Sequence, residues 1–197
     1  IEQLLPAAAS GDFCVALSGG LDSTALLHAM TMLVRERPRW RLRACHIDHQ
    51  LQPASSSWYA HCADLCARSG VSFVGERVAC DPQFADGVEA AARLVRYRAF
   101  KRQLLPGETL LTAQHADDQL ETVLLALLRG AGINGLAAMP AIKEFAAGWH
   151  MRPMLQFTRA VAADWAVHKI TVNAILPGGF MTEPNQRWSQ IHPEVID

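Results

Sequence analysis

The sequence predicts a doubly wound α/β domain, a parallel β-sheet with helices on both faces. Short apolar runs alternate with longer segments of helical periodicity between residues 12 and 129. The helical segments are long enough to cross over the sheet, and right-handed crossovers make successive strands parallel. The chain has 197 residues, of which 50% are apolar and 19% charged, so it can bury one core.

The alternation divides this region into four strand–helix units. The predicted strands are residues 13–17, 41–47, 71–78 and 108–113, and the predicted helices are residues 21–33, 57–68, 88–104 and 116–129. Further candidates are strands over 149–155 and 170–176 and a helix over 158–168. The apolar face of the fourth helix is assigned to the core, and it consists of Leu120, Val123, Leu124, Leu127 and Leu128.

Charge and composition exclude several classes of protein. A net charge of −1 offers no large basic surface for a nucleic-acid backbone. No apolar run approaches the ~18 residues of a membrane span, and no secretory signal follows Ile1. The five cysteines, at irregular spacing, fit reduced thiols better than disulfides. We expect a cytoplasmic chain that does not enter a membrane, and nothing indicates its oligomeric state.

A glycine turn joins the first predicted strand to the first predicted helix, and it consists of Ser18, Gly19, Gly20, Leu21, Asp22 and Ser23. The glycines let backbone N–H groups curl around an anion, which the helix N-terminus also attracts. The serines can donate further hydrogen bonds, whereas Asp22 would repel phosphate unless Mg²⁺ lay between them. The alternative is a tight turn with an Asp/Ser helix cap. The strand–turn–helix context favours a pyrophosphate cradle.

Two histidines follow the second predicted strand. His46 and His49 lie where ligands bind in such sheets, although a loop with two surface histidines is the alternative.

The third predicted helix carries a polar face. Glu89, Arg93, Arg96 and Tyr97 share this face by i, i+3 and i+4 spacing. An ion-paired, solvated stripe is the alternative to a ligand-binding role.

Carboxylates cluster at the start of the fourth predicted helix. Asp117, Asp118 and Glu121 follow His115, and Asp118 and Glu121 are i, i+3 neighbours. The helix dipole alone favours acidic residues there, which is the alternative interpretation. At the C-terminal edge of the sheet they would also suit Mg²⁺ or an ammonium group.

The loop at residues 18–23 resembles the PP-loop of the N-type ATP pyrophosphatases, which cleave ATP between its α- and β-phosphates while adenylating a carbonyl oxygen. The later motifs resemble the tRNA(Ile)-lysidine synthetase branch of that family. The matching segments are residues 46–51, 89–97, 112–122, 129–136 and 152–155. Gln114 stands where that branch usually has histidine. In order, the matches cover roughly residues 12–155.

The resemblance implies that ATP and Mg²⁺ bind at residues 18–23. The C2 oxygen of the wobble cytidine of tRNA(Ile) would be adenylated with release of pyrophosphate, and L-lysine would then displace AMP. His46 and Arg96 would contact ATP, and Arg93 would act in catalysis. Asp22 and Asp118 would share the metal. Asp118 and Glu121 would bind the lysine ammonium.

The carboxyl-terminal segment departs from this pattern. In place of an acidic Asp-Ser-Asn segment, residues 158–185 resemble a late segment of short-chain dehydrogenases. The only match to that family's Tyr-x-x-x-Lys pair is Tyr97 and Lys101, far upstream. We therefore expect a PP-loop domain over 1–157 and a dehydrogenase-like tail over 158–197 that packs on or extends the same domain.

Two other functions remain open. A tRNA thiolase would use the same ATP chemistry, but the chain has no Cys-x-x-Cys. The other is an inactive nucleotide-binding module, because the branch's acidic segment and its tRNA-binding domains find no match.

Two further motifs are set aside. Residues 130–135 have the pattern Gly-x-Gly-x-x-Gly, but they end a helix, whereas a dinucleotide site joins a strand to a helix. Cys62 and Cys66, although they could join His46 and His49 around zinc, are better explained as buried thiols.

Overall fold

The computed structural model of the chain describes residues 5–6, 9–51, 55–80, 87–130 and 139–156. Contacts divide the chain between Phe157 and Thr158, and all the described residues belong to the first unit. The expected tail and the candidate elements at 158–168 and 170–176 lie outside the described residues, so these remain predictions, as does the cytoplasmic location.

Strands and helices alternate through the described part of the chain. They are β1 (Asp12–Ala16), α1 (Leu21–Arg35), β2 (Arg41–Asp48), α2 (Ser55–Ser69), β3 (Ser72–Arg77), α3 (Val88–Gln103), β4 (Thr109–Leu111), α4 (Ala116–Leu128), β5 (Ile142–Phe145) and β6 (Gly148–Met151). A 3₁₀ turn, Pro153–Gln156, follows β6. Among these helices none is long and apolar enough to cross a membrane.

The strands form one sheet in the order β3-β2-β1-β4-β6-β5. Cys14 in the middle of β1 lies opposite Arg43 of β2 on one side and Leu110 of β4 on the other, both in parallel register. The chain winds outward from β1 to β3 and then returns to place β4 on the other side of β1. Ligands bind at such a reversal, outside the carboxyl ends of the strands.

The sheet differs from the prediction at its far edge. Residues 149–155 do not form one strand, because β6 ends at Met151 and Pro153, which has no N–H to donate, begins the 3₁₀ turn. The short strand β5 was not predicted, and it pairs antiparallel with β6. The sheet is therefore parallel except for this edge strand.

Side chains of β1 alternate between two apolar clusters, one on each face of the sheet. Phe13, Val15 and Leu17 pack with residues of α1 and α2, including Cys62 and Cys66. Cys14 packs on the opposite face with Cys45 and Phe100. Strand geometry explains this division, since successive side chains point to opposite faces. Helices on both faces confirm the predicted doubly wound α/β fold.

The thiols of Cys62 and Cys66 are buried on the inner face of α2. Burial raises the pKa of each thiol to about 11, so both are protonated near pH 7. Both side chains belong to the apolar cluster that contains Phe13 and Val15, so the two cysteines are core residues, as the sequence indicated.

The prediction that the leucine face of the fourth helix belongs to the core is wrong. Leu120, Leu124 and Leu127 are about half exposed, and Leu128 is 83% exposed. Among the described elements, α4 packs most closely with the Pro153–Gln156 turn, and none of its residues is buried. Helical periodicity identifies an apolar face, but it does not say which element covers that face.

A buried ion pair joins β2 to the segment before β4. Arg43 donates from Nε and Nη2 to the two carboxylate oxygens of Glu108, each at 2.6 Å. Glu108 is 2% exposed and also accepts a hydrogen bond from the Leu105 amide at 2.9 Å. The second N–H of Arg43 Nη2 reaches the Gln103 carbonyl. This pair lies in the sheet, apart from the carboxyl ends of the strands.

Candidate functional site

A cleft of about 390 Å³ opens at the carboxyl ends of β1, β2 and β4, where the winding direction reverses. Its walls come from the loop after β1, the end of β2, α3, and the segment between β4 and α4. Eight of the predicted site residues line it: Ser18, Gly20, Asp22, Ser23, His46, Arg93, Arg96 and Asp118.

Three predicted site residues lie outside the lining. Gly19 contributes backbone only; its φ of +88° favours glycine, and a Cβ there would come within 3.2 Å of Cys62 Sγ. Leu21 is 83% exposed at the start of α1. Glu121 is exposed on α4 beyond Asp118. Helical spacing placed Glu121 beside Asp118, but the structure brings only Asp118 to the cleft.

Ser23 holds the loop after β1 in shape. Its Oγ accepts a hydrogen bond from the Ser18 amide at 3.2 Å and donates to the Gly20 carbonyl at 3.1 Å. It also lies 2.9 Å from Ser18 Oγ, which in turn accepts from the Gly20 amide. Ser23 is 5% exposed, so its hydroxyl fixes the loop more than it reaches into the cleft. The amides in the first turn of α1 have no intrahelical acceptor and suit an anion.

His46 presents one defined ring nitrogen to the cleft. Its Nδ1 lies 2.8 Å from the Leu17 carbonyl, and only a protonated nitrogen can bond a carbonyl oxygen. In the tautomer that this contact selects, the lone pair is on Nε2. The ring packs edge-on against Tyr59 at 5.8 Å between centroids, which fixes its orientation. His46 can thus accept a hydrogen bond from a ligand.

The polar face of α3 divides between the cleft and solvent. Arg93, Arg96 and Tyr97 line the cleft, and the Arg93 guanidinium lies 5.5 Å from the centre of the Tyr97 ring. Glu89 lies exposed at the start of the helix and does not contribute to the lining. Burial, aided by the charge of Arg96, lowers the pKa of neighbouring His49. This wall of the cleft is therefore positively charged through its arginines.

His115 was not predicted as a site residue, yet it connects two walls of the cleft. Its Nε2 lies 3.8 Å from Asp22 Oδ2, and its Nδ1 lies 3.6 Å from Asp118 Oδ2. Asp118 also accepts a hydrogen bond from the His115 amide at 2.8 Å, which caps α4. The adjacent carboxylates were the sequence signal that could have identified His115. Asp48 and Trp58, also in the lining, gave no such signal.

A buried polar network supports the wall that follows β4. Arg152, which is 3% exposed, donates from Nε to Gln114 Oε1 at 2.6 Å and from Nη1 to the Pro140 carbonyl at 2.8 Å. Thr112 Oγ1 lies 3.2 Å from Gln114 Oε1 and 2.9 Å from His150 Nε2. Burial, with a smaller effect from the Arg152 charge, lowers the pKa of His150 to about 3, so its ring is neutral near pH 7.

The amino-acid sequence of this chain is similar to a known domain family and to named proteins. Residues 1–171 match the model of the PP-loop domain. The chain is 49% identical over 150 residues to tRNA(Ile)-lysidine synthase of Coxiella burnetii, an alignment covering 76% of this chain and 33% of that protein. It is 52% identical over 155 residues to the Salmonella dublin protein of the same name, covering 77% and 35%. The chain thus spans about a third of the length of these relatives.

Among solved structures, the fold is similar to that of the U34-tRNA thiolase NcsA from Methanococcus maripaludis, determined with its [4Fe-4S] cluster. The TM-score is 0.61, and the match covers 92% of this chain and 66% of that chain. Sequence identity is 13%, so this likeness shows the fold alone.

Proposed function

We propose, from the premise that this chain belongs to the PP-loop domain family, that its cleft binds ATP and uses it to adenylate a base of tRNA. The relatives are named tRNA(Ile)-lysidine synthase, which favours the wobble cytidine of tRNA(Ile) as the base and L-lysine as the incoming amine. The proposal rests on one observation. Ser18, Arg96 and Asp118 belong to three separate segments of the chain, and all three line the same cleft.

The triphosphate would lie against the N-terminus of α1. The loop shape fixed by Ser23 leaves the first-turn amides directed at an anion. Arg93 and Arg96 face this position from α3 and would balance the charge that develops as pyrophosphate leaves. His46 would accept a hydrogen bond through Nε2 from a hydroxyl or amino group of the nucleotide. A cleft of about 390 Å³ is in the range of small-ligand sites.

Asp22 and Asp118 fit the needs of a magnesium ion bound with the nucleotide. Mg²⁺ usually takes one or two carboxylates together with phosphate oxygens and water. Asp22 is 55% exposed and lines the cleft at the phosphate loop, while Asp118 has one carboxylate oxygen beyond that used to cap α4. When bound, the ion would neutralise charge on the phosphates and favour pyrophosphate as a leaving group.

Asp118 is also the candidate for the lysine ammonium group, because Glu121 lies outside the lining. The carboxylate would orient the lysine for attack on the activated base. Asp118→Asn should therefore raise the lysine concentration needed for AMP release. An unchanged lysine dependence in that variant would remove Asp118 from this role.

Pyrophosphate release from ATP and Mg²⁺, with tRNA(Ile) and lysine each present or omitted, tests the proposal. Release that requires tRNA(Ile), and that is abolished in Asp22→Ala, is the expected result. Asp64→Asn is the matched control, because Asp64 is an exposed aspartate of α2 that does not line the cleft. ATP binding without tRNA-dependent release would instead favour an inactive nucleotide-binding module.

A tRNA thiolase is the remaining alternative, and the cysteines do not favour it. Cys14, Cys45, Cys62 and Cys66 are buried, and Cys80 is half-buried. Among the described residues that line the cleft there is no cysteine. Sulfur transfer would need a thiol or a cluster next to the activated base.

A further inference from the structure

We propose that the side-chain amide of Gln114 donates a hydrogen bond to a phosphate oxygen of the bound nucleotide. This inference rests on the proposed function, since it requires ATP in the cleft. Gln114 stands where the resembling branch usually has histidine.

The register of the sheet brings Gln114 next to the phosphate loop. Val15 of β1 pairs with Leu111 of β4 in parallel, so the residues three positions later, Ser18 and Gln114, both follow the same edge of the sheet. Both line the cleft. The contact between His115 and Asp22 at 3.8 Å joins the two segments directly. A group bound at the loop therefore shares the cleft with the Gln114 side chain.

The orientation of the amide is determined by its neighbours. A guanidinium can only donate, so the Gln114 atom that lies 2.6 Å from Arg152 Nε must be the oxygen. Arg152 is itself fixed, because it is buried and donates from Nη1 to the Pro140 carbonyl. The reverse orientation would set two N–H groups against each other, which buried polar groups avoid.

Thr112 and His150 hold the same orientation from a second side. Neutral His150 can donate from Nε2 to Thr112 Oγ1, whose hydrogen then points to Gln114 Oε1. His150 is fully buried and packs against both the Tyr97 and Phe145 rings. Two donors thus converge on the amide oxygen, and the amide nitrogen turns away from both.

The amide nitrogen has two hydrogens to donate. The hydrogen bonds of Gln114 within the ranges the structure describes are all made by its oxygen. Two N–H groups next to the phosphate loop suit a negatively charged oxygen, and a carboxamide supplies them without titrating. Asp22 and Asp118 are charged acceptors of the same cleft, and the proposed magnesium would occupy them.

Two variants separate this role from simple structural support. Gln114→Glu keeps an acceptor oxygen for Arg152 and Thr112 but turns the donor into a carboxylate, whereas Gln114→Met removes all polar contacts. Affinity for ATP with Mg²⁺, and for adenosine, is measured by calorimetry. Gln50→Glu, an exposed position after β2, controls for the added negative charge.

We expect Gln114→Glu to weaken ATP binding at least as much as Gln114→Met, by about 10- to 100-fold, with little change for adenosine. Thermal unfolding of Gln114→Glu should stay near that of the parent chain, because the Arg152 contact is kept. Parent-like ATP affinity in Gln114→Glu would overturn the inference while leaving the proposed function intact. Failure of the parent chain to bind ATP would overturn both.

Discussion

Replacing Glu108 by glutamine should destabilise the domain without weakening its affinity for ATP. The carboxylate is 2% exposed and accepts two hydrogen bonds from Arg43 at 2.6 Å and one from the Leu105 amide. Glutamine keeps the shape, but it removes the charge that compensates Arg43 and puts N–H groups where an acceptor is needed. The Glu108 carboxylate is also what raises the pKa of Arg43, so the guanidinium stays charged.

Breaking a buried pair from one side costs about 3–5 kcal/mol. A glutamine oxygen in the place of Oε2 can still accept two of the three hydrogen bonds, those from Arg43 Nη2 and the Leu105 amide, so we expect the lower end, about 3 kcal/mol. That is a large share of a typical ~5–15 kcal/mol free energy of unfolding. For a domain of this size it corresponds to a fall in Tm of about 6–12 °C.

Urea unfolding followed by circular dichroism measures this change, which should lower the midpoint while the slope m stays constant. Asp64→Asn is the comparison, because Asp64 and Arg68 form an ion pair in which both side chains are 60% exposed. It should change stability by no more than about 0.5 kcal/mol. A Glu108→Gln effect as small as that would refute the reasoning, as would weaker ATP binding at full stability.

Three further outcomes are expected. Ser23→Ala removes the hydroxyl that forms hydrogen bonds with Ser18 and Gly20. The affinity for ATP, measured by calorimetry, should fall about tenfold. An unchanged affinity would show that the loop keeps its shape without this hydroxyl. Folding lowers the pKa of His150 from 6.5 to about 3, so at pH values between these two the unfolded state binds a proton and the folded state does not. The free energy of unfolding should therefore decrease by about 1.4 kcal/mol for each pH unit of acidification. Urea unfolding at several pH values should show a smaller pH dependence in His150→Gln and an unchanged one in His28→Gln. Gly75→Ala would place a Cβ 2.3 Å from the Tyr59 ring, so the free energy of unfolding should fall by about 1–3 kcal/mol. Parent-like stability would mean that the Tyr59 ring moves aside at no cost.

The helices and central strands could be predicted from the sequence, because each depends on the periodicity of apolar residues within its own segment. Strand and helix periodicity gave the first four strand–helix units, and the glycine turn at residues 18–23 located one wall of the cleft. The edge strand β5 could not be found this way, since four residues of mixed polarity, Ile142–Phe145, carry too little periodic signal. Its pairing with β6 depends on a tertiary contact.

The error at α4 has a similar physical origin. Its leucines were assigned to the core from helical spacing, which fixes angles around the helix axis but not the position of the axis. In the described part of the chain α4 contacts the Pro153–Gln156 turn, and these leucines are exposed. Glu121 is exposed as well, and its role at the lysine ammonium stays a prediction. The Gln114 network was beyond prediction because it joins residues 38 positions apart along the chain.

The parallel pairing of β1 with β4 has a consequence for how the protein emerges from the ribosome. The loop at residues 18–23 is synthesised early, but the wall that completes its cleft follows Leu111 and is held by Arg152. A nascent chain that ends before β4 would therefore carry the phosphate loop without its opposite wall. Nucleotide capture by stalled chains of increasing length would then begin only after residue 152 has left the exit tunnel, which makes ATP binding a reporter of completed folding.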